Sequence, residues 1–180
     1  MEKLEIKLKI KKLNIGILGG SFDPAHKGHL AISKEAIKKF NLKYVIWAIT
    51  KQNPLKYKTT NDLKKRITVC KHIIGMNKLI KVKFYEDIIK SNKTADLINY
   101  FNKKKKFRLF FLMGADNLIN FHKWHKWKQI LKKSNILVFD RNGYKKKSLN
   151  SKIYKNYNEK QLTFVEFNKV NISSSKLRKI

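Results

Sequence analysis

Apolar and polar positions along the chain fall into two alternating rhythms. Leu13 to Leu18 is a short apolar run closed by Gly19-Gly20, which predicts a buried strand. Leu30 to Phe40 then sets Leu30, Ile37 and Phe40 on one side, as an amphipathic helix does. Tyr44 to Ile49 predicts a second strand, and Lys51 to Thr60, with Asn53-Pro54, a loop. Asp62 to Ile74 is the clearest helix: Leu63, Ile67, Cys70 and Ile74 recur at 4, 3 and 4 residues, and Gly75 is placed to end it. Leu79 to Phe84 alternates as a strand, and Thr94 to Phe101 predicts a short helix capped by Thr94 or Asn92. Phe107 to Met113 is a strongly apolar strand that runs into Gly114-Ala115-Asp116. Short helical pieces are expected around Leu118 and Trp127, strands at Asn135 to Phe139 and Leu162 to Val165, and a last helix from Ser173 to Ile180. Tyr144 to Glu159 is polar and weakly patterned and reads as a surface segment.

Strands that alternate with helices predict an α/β fold: a parallel sheet built from βαβ units with helices on both faces. Crossovers should be right-handed. The 180 residues, 42% of them hydrophobic, suffice for one domain over 13–180, preceded by an extension over 1–12. Cys70 alone excludes an internal disulfide framework and suits a reducing compartment. No apolar run reaches the roughly 20 residues that span a bilayer. Met1 to Lys12 alternates Leu4, Ile6, Leu8 and Ile10 with Lys and Glu, unlike a signal peptide. The expectation is a cytoplasmic protein with no membrane partner.

A net charge of +31 raises nucleic acid as a partner. The distribution argues against specific recognition. Lysines are spread through nearly every segment, and the 43 Lys+Arg include four arginines: Arg66, Arg108, Arg141 and Arg178. Base readers lean on bidentate arginine, whereas charge by itself predicts adhesion at low salt.

Four places carry candidate chemistry. Gly19-Gly20-Ser21-Phe22-Asp23-Pro24-Ala25-His26-Lys27-Gly28-His29 stands where the first strand gives way to the first helix. Ligands of open α/β sheets bind at the carboxyl ends of strands. A helix N-terminus there offers unpaired N–H groups to a phosphate. Gly19 and Gly20 carry no Cβ to block its approach, and His26 and His29 can donate to phosphate oxygens. The plain alternative is a tight turn with two surface histidines. Asp116, in the second place, suits a ribose hydroxyl or equally a helix cap. The third is Phe121-His122-Lys123-Trp124-His125-Lys126-Trp127, where a tryptophan is either core or a platform for a flat heteroaromatic ring. The His122/His125 and His26/His29 pairs lack a nearby cysteine and a clear third ligand, so no protein metal site is expected. The fourth is Asn171 to Arg178, with Ser173 and Ser174 as either an anion cradle with Arg178 or an ordinary cap. Lys56 either adds charge from a neighbouring loop or is one more solvated lysine in a lysine-rich chain.

Together these residues resemble the bacterial nicotinate-nucleotide adenylyltransferases of the nucleotidyltransferase superfamily. The Gly19–His29 segment is similar to the family's nucleotide loop, with Ser21 where Thr is usual, and His26 to His29 carries the His-x-Gly-His signature. Gly114-Ala115-Asp116, Phe121-His122-x-Trp124 and Ile172-Ser173-Ser174-Ser175-x-Leu177-Arg178 follow in the family's order. Lys93-Thr94-Ala95 resembles another family segment, with Lys for Tyr, and Asn142-Gly143 stands where Pro-Gly is commoner.

The resemblance implies a Rossmann-like nucleotidyltransferase fold. It implies adenylyl transfer from ATP to nicotinate mononucleotide, giving deamido-NAD and pyrophosphate, with Mg²⁺ accompanying ATP. It assigns His26, His29 and Arg178 to catalysis. It places Gly19, Gly20, Ser21, Phe22, Asp116, Ser173 and Ser174 at ATP, and Lys56, Thr94 and Trp124 at the acceptor. A homo-oligomer is admitted. The alternatives are a pantetheine-phosphate adenylyltransferase, whose acceptor has no aromatic ring for Trp124 to stack, and a basic RNA-binding protein on a vestigial nucleotide fold.

Overall fold

Six parallel strands form one sheet in the order β3-β2-β1-β4-β5-β6. They are β1 (Leu13–Gly20), β2 (Tyr44–Ile49), β3 (Ile80–Phe84), β4 (Phe107–Gly114), β5 (Asn135–Phe139) and β6 (Leu162–Val165). The computed structural model describes residues 12–52, 59–158 and 160–166. The predicted helix from Ser173, together with Lys56 and Arg178, lies outside these residues.

Period-two alternation sorts the strands' side chains between two cores. Ile15, Ile17, Ile46, Phe107, Leu109, Phe111 and Ile136 face one side. Leu18, Val45, Trp47, Phe110, Leu112 and Leu137 face the other. Helices α1 (Lys27–Phe40) and α2 (Leu63–Ile74) cover the second face. On the first lie α3 (Glu86–Ile89), α4 (Thr94–Asn102), α5 (Ala115–Ile119), α6 (Trp127–Lys133) and α8 (Lys152–Tyr157), with α7 (Lys145–Leu149) before α8. Among the described residues no helix is long and apolar enough to cross a membrane.

The sheet agrees with the expected parallel α/β architecture, and several local readings need correction. In α1 the fully buried positions are Ser33 and Ala36, while Leu30, Ile37 and Phe40 pack at the flanks of the core. Small residues sit where the helix approaches the sheet most closely. In α2 the buried line is Arg66, Cys70 and Ile74, with Leu63 and Ile67 beside it. Helix α4 has Lys93 as its N-cap with no side-chain capping bond, so neither Thr94 nor Asn92 caps it. Tyr144 to Glu159 is not a plain surface segment: it holds α7 and α8, which bury Ser148 and Ile153.

Candidate active site

The strand order reverses between β1 and β4, whose carboxyl ends carry Gly19-Gly20 and Gly114-Ala115-Asp116. Such a switch point opens a crevice for a ligand.

The residues after β1 are tied down by one another. His26 is the N-cap of α1, and its Nδ1 accepts the N–H of Gly28 at 3.1 Å. The N–H of His26 donates to Nδ1 of His29 at 3.2 Å. This reciprocal cap satisfies helix donors that are otherwise orphaned. It also fixes the tautomer: in a neutral ring whose Nδ1 accepts, Nε2 carries the proton. Burial, then the charge of Arg141, pushes the His26 pKa down to about 4. Near neutral pH His26 is therefore an uncharged Nε2–H donor.

His29 is braced from beneath. The indole N–H of Trp47 donates to Ser33 Oγ at 2.8 Å, and Ser33 Oγ donates to the His29 carbonyl at 2.8 Å. Phe22 stacks on Trp47 at 5.0 Å and lies 4.9 Å from the His29 ring. Phe22 is 2% exposed, so its ring holds the loop, and the part of this residue left for a nucleotide is its backbone.

Asp23 is 1% exposed and accepts from Thr60 N (2.6 Å), Asn61 N (3.3 Å) and Asn61 Nδ2 (2.7 Å). Burial alone raises its pKa, but these hydrogen bonds outweigh that and hold the carboxyl below the usual range. Among the described residues nothing demands glycine at positions 19 and 20. A Cβ at either would meet ordinary contacts no closer than 3.6 Å, and neither has a left-handed φ.

Across the crevice Asp116 pairs with Arg141 through Oδ2 at 2.5 Å. Its Oδ1 is buried and has no hydrogen-bond partner among the described residues. Gly114 leaves the space this carboxylate occupies, since a Cβ there would lie 2.5 Å from Oδ1. Asp116 is not the cap of α5; Gly114 holds that position.

A cavity of about 370 Å³ adjoins Gly19 and Gly20 on the other side, lined also by Tyr85, Glu86, Thr94 and Trp124. Trp124 is half-buried, with its ring edge-on to Phe121 at 5.4 Å and to Phe111 at 6.0 Å. Trp127 packs against Phe121 and Tyr157, in the manner of a core residue. Lys93 and Lys123 bring positive charge to the cavity rim. Burial pushes the Tyr85 phenol up to about 12, so it stays protonated. Glu86 accepts from Thr50 Oγ1 and from Lys51 N.

Gly19, Gly20, Thr94 and Trp124 thus meet at one cavity, while Arg141, paired with Asp116, adds its charge to the surroundings of His26. Lys56, Ser173, Ser174 and Arg178 lie outside the described residues. Arg66, Arg141, Glu86 and Ser33 are not among the residues that sequence pattern singles out. Only Arg66 leaves a signal there: a charge in register with Cys70 and Ile74 on the inward line of α2.

Residues 17–180 match the family model described as Cytidylyltransferase-like. A Pelagibacter ubique protein called "Probable nicotinate-nucleotide adenylyltransferase" is 65% identical over 180 residues, all of both chains. One of the same name from Bradyrhizobium is 37% identical over 141 residues, 77% of this chain and 73% of that one. Among solved structures, the Plasmodium falciparum nicotinic acid mononucleotide adenylyltransferase complexed with NaAD superposes with a TM-score of 0.78. It is 21% identical, and the match covers 93% of this chain and 83% of that one.

Proposed function

Because the chain belongs to the cytidylyltransferase-like family, and within it to the nicotinate-nucleotide adenylyltransferases, we infer that it transfers the adenylyl group of ATP to nicotinate mononucleotide. A phosphate oxygen of the mononucleotide attacks the α-phosphorus of ATP, pyrophosphate leaves, and deamido-NAD forms. The substrate supplies the nucleophile, so the protein's contribution is alignment and stabilisation of charge.

The observation that carries this reading is the loop after β1. Among the described residues nothing requires its two glycines, and two mutually capping imidazoles stand beside them. The open backbone suits a phosphate at Gly19, Gly20 and Ser21. The Nε2–H groups of His26 and His29 donate to the oxygens whose charge is redistributed during transfer. Asp116, oriented by Arg141, takes the adenosine ribose. Ser173, Ser174 and Arg178 keep the role of a triphosphate clamp that their motif suggests. Trp124 stacks the pyridine ring in the adjoining cavity, with Thr94 at its carboxylate. The positive rim of Lys93 and Lys123 favours an acid over its amide, and Lys56 adds charge from its loop.

Nucleotidyl transfer uses a divalent metal, which we assign as Mg²⁺ travelling with ATP. Among the described residues no three His, Cys, Asp or Glu side chains gather as a protein metal site. When bound, the ion neutralises charge on the phosphate oxygens.

The test is pyrophosphate release with ATP and each of three acceptors: nicotinate mononucleotide, its amide and phosphopantetheine. Fastest turnover of the acid is expected. Faster turnover of phosphopantetheine overturns the assignment, and equal rates with acid and amide overturn only the carboxylate preference.

A further inference from the structure

Arg66 is 2% exposed, yet its guanidinium makes four hydrogen bonds. Nη1 donates to Ser21 O at 2.6 Å and to Thr50 O at 2.8 Å, Nη2 to Lys51 O at 3.0 Å, and Nε to Asn61 O at 3.1 Å. All four acceptors are backbone carbonyls. An unpaired charge in an apolar interior is costly, and here carbonyl dipoles offset that cost.

The acceptors come from different walls of the site. Ser21 follows Gly19-Gly20 in the phosphate loop. Thr50 and Lys51 lead the chain away from β2, and they also hold Glu86 at the edge of the acceptor cavity, through Thr50 Oγ1 and the Lys51 N–H. Asn61 precedes α2, where Asp23 of the phosphate loop grips its N–H and side-chain amide. The N–H of Thr50 in turn donates to Gly20 O at 3.0 Å. A single rigid plane therefore joins the loop that faces the nucleotide to the wall that faces the acceptor.

We propose that Arg66 is a positioning residue that sets the distance between the ATP loop and the acceptor wall by holding the carbonyls of Ser21, Thr50 and Lys51 on one guanidinium. The proposal rests on the adenylyl-transfer reading. In that reaction two bound substrates meet directly, and the rate depends steeply on how the attacking oxygen faces the phosphorus. A displacement of about 1 Å costs on the order of 100-fold. Lysine cannot replace this group. Its three donors radiate from one nitrogen, whereas the guanidinium presents five in a planar fork.

The test compares Arg66→Lys, which keeps the charge, with Arg66→Gln, which keeps two N–H donors and buries no charge. Folding is checked by circular dichroism and melting. Steady-state kinetics separate kcat from KM, and calorimetry measures binding of a non-hydrolysable ATP analogue. In folded variants kcat should fall by about 30-fold or more, on the scale that misalignment sets. KM for each substrate and affinity for the analogue should stay within about threefold, because each wall still binds its own ligand. A core residue with no positioning role would lower the melting temperature and leave kcat of the folded protein unchanged. That result overturns the proposal, as does a loss confined to KM or a failure of both variants to fold. The adenylyl-transfer reading fails separately, if wild-type protein releases no pyrophosphate with any acceptor.

Discussion

The rings of His26 and His29 lie 3.9 Å apart between centroids, and each Nδ1 accepts a backbone N–H at the start of α1. The same two imidazoles thus build the helix end and turn their other nitrogen into a donor. His29→Ala should lower kcat about 100-fold, as loss of one oxyanion donor does, with a smaller change in KM for ATP. It should also cost about 1 kcal/mol of stability through the lost cap. His29→Gln restores an acceptor at the third helical position, so melting should recover while kcat does not. A folded alanine variant with near-wild-type kcat would make His29 purely structural.

His26 should titrate far below an ordinary histidine. Its pKa is pushed down to about 4, by burial and then by Arg141, against 6.5 for a free side chain. Between those values the unfolded chain binds more protons than the folded one, so stability rises with pH there. The His26 contribution is complete above pH 6.5 and is lost progressively as pH falls toward 4. Proton NMR of the imidazole should give a midpoint near 4. A midpoint close to that of a free side chain would mean that the ring is neither buried nor under the charge of Arg141.

Asp116 should govern how the adenosine ribose is read. Asp116→Asn should raise KM for ATP about 10-fold or more, from the strength of hydrogen bonds to charged groups. It should also narrow the preference for ATP over its 2′- and 3′-deoxy analogues. An unchanged preference in a folded variant would confine Asp116 to its ion pair with Arg141.

Trp124 should act on the acceptor alone. Removing a stacking ring costs about 1–3 kcal/mol per base, so Trp124→Ala should raise KM for nicotinate mononucleotide about 10-fold or more and leave KM for ATP unchanged. Trp124→Phe should recover most of the loss. A rise in KM for ATP instead would place the ring on the other side of the loop.

The parallel sheet was legible because apolar runs buried on both faces are hard to mistake for anything else. The loop after β1 was legible because its glycines, histidines and position between strand and helix agree. The inward faces of α1 and α2 were not. Hydrophobicity points to Leu30 and Ile67, which pack beside the core, while the buried positions include Ser33, Ala36 and Arg66, whose roles depend on distance and on carbonyls far away in sequence. The direction of the Phe22 ring was hidden for a related reason: only the tertiary stack with Trp47 shows where it goes. Arg141 gave no local pattern at all, since its partner Asp116 lies 25 residues away.

The bonds from Trp47 through Ser33 to the His29 carbonyl fasten the donor-bearing end of α1 to β2. That end cannot drift while β2 stays in place, so heat has no mild way of spoiling the site. Catalytic power and native structure should disappear together on warming. Residual activity after stepwise heating should then trace the melting curve and not precede it.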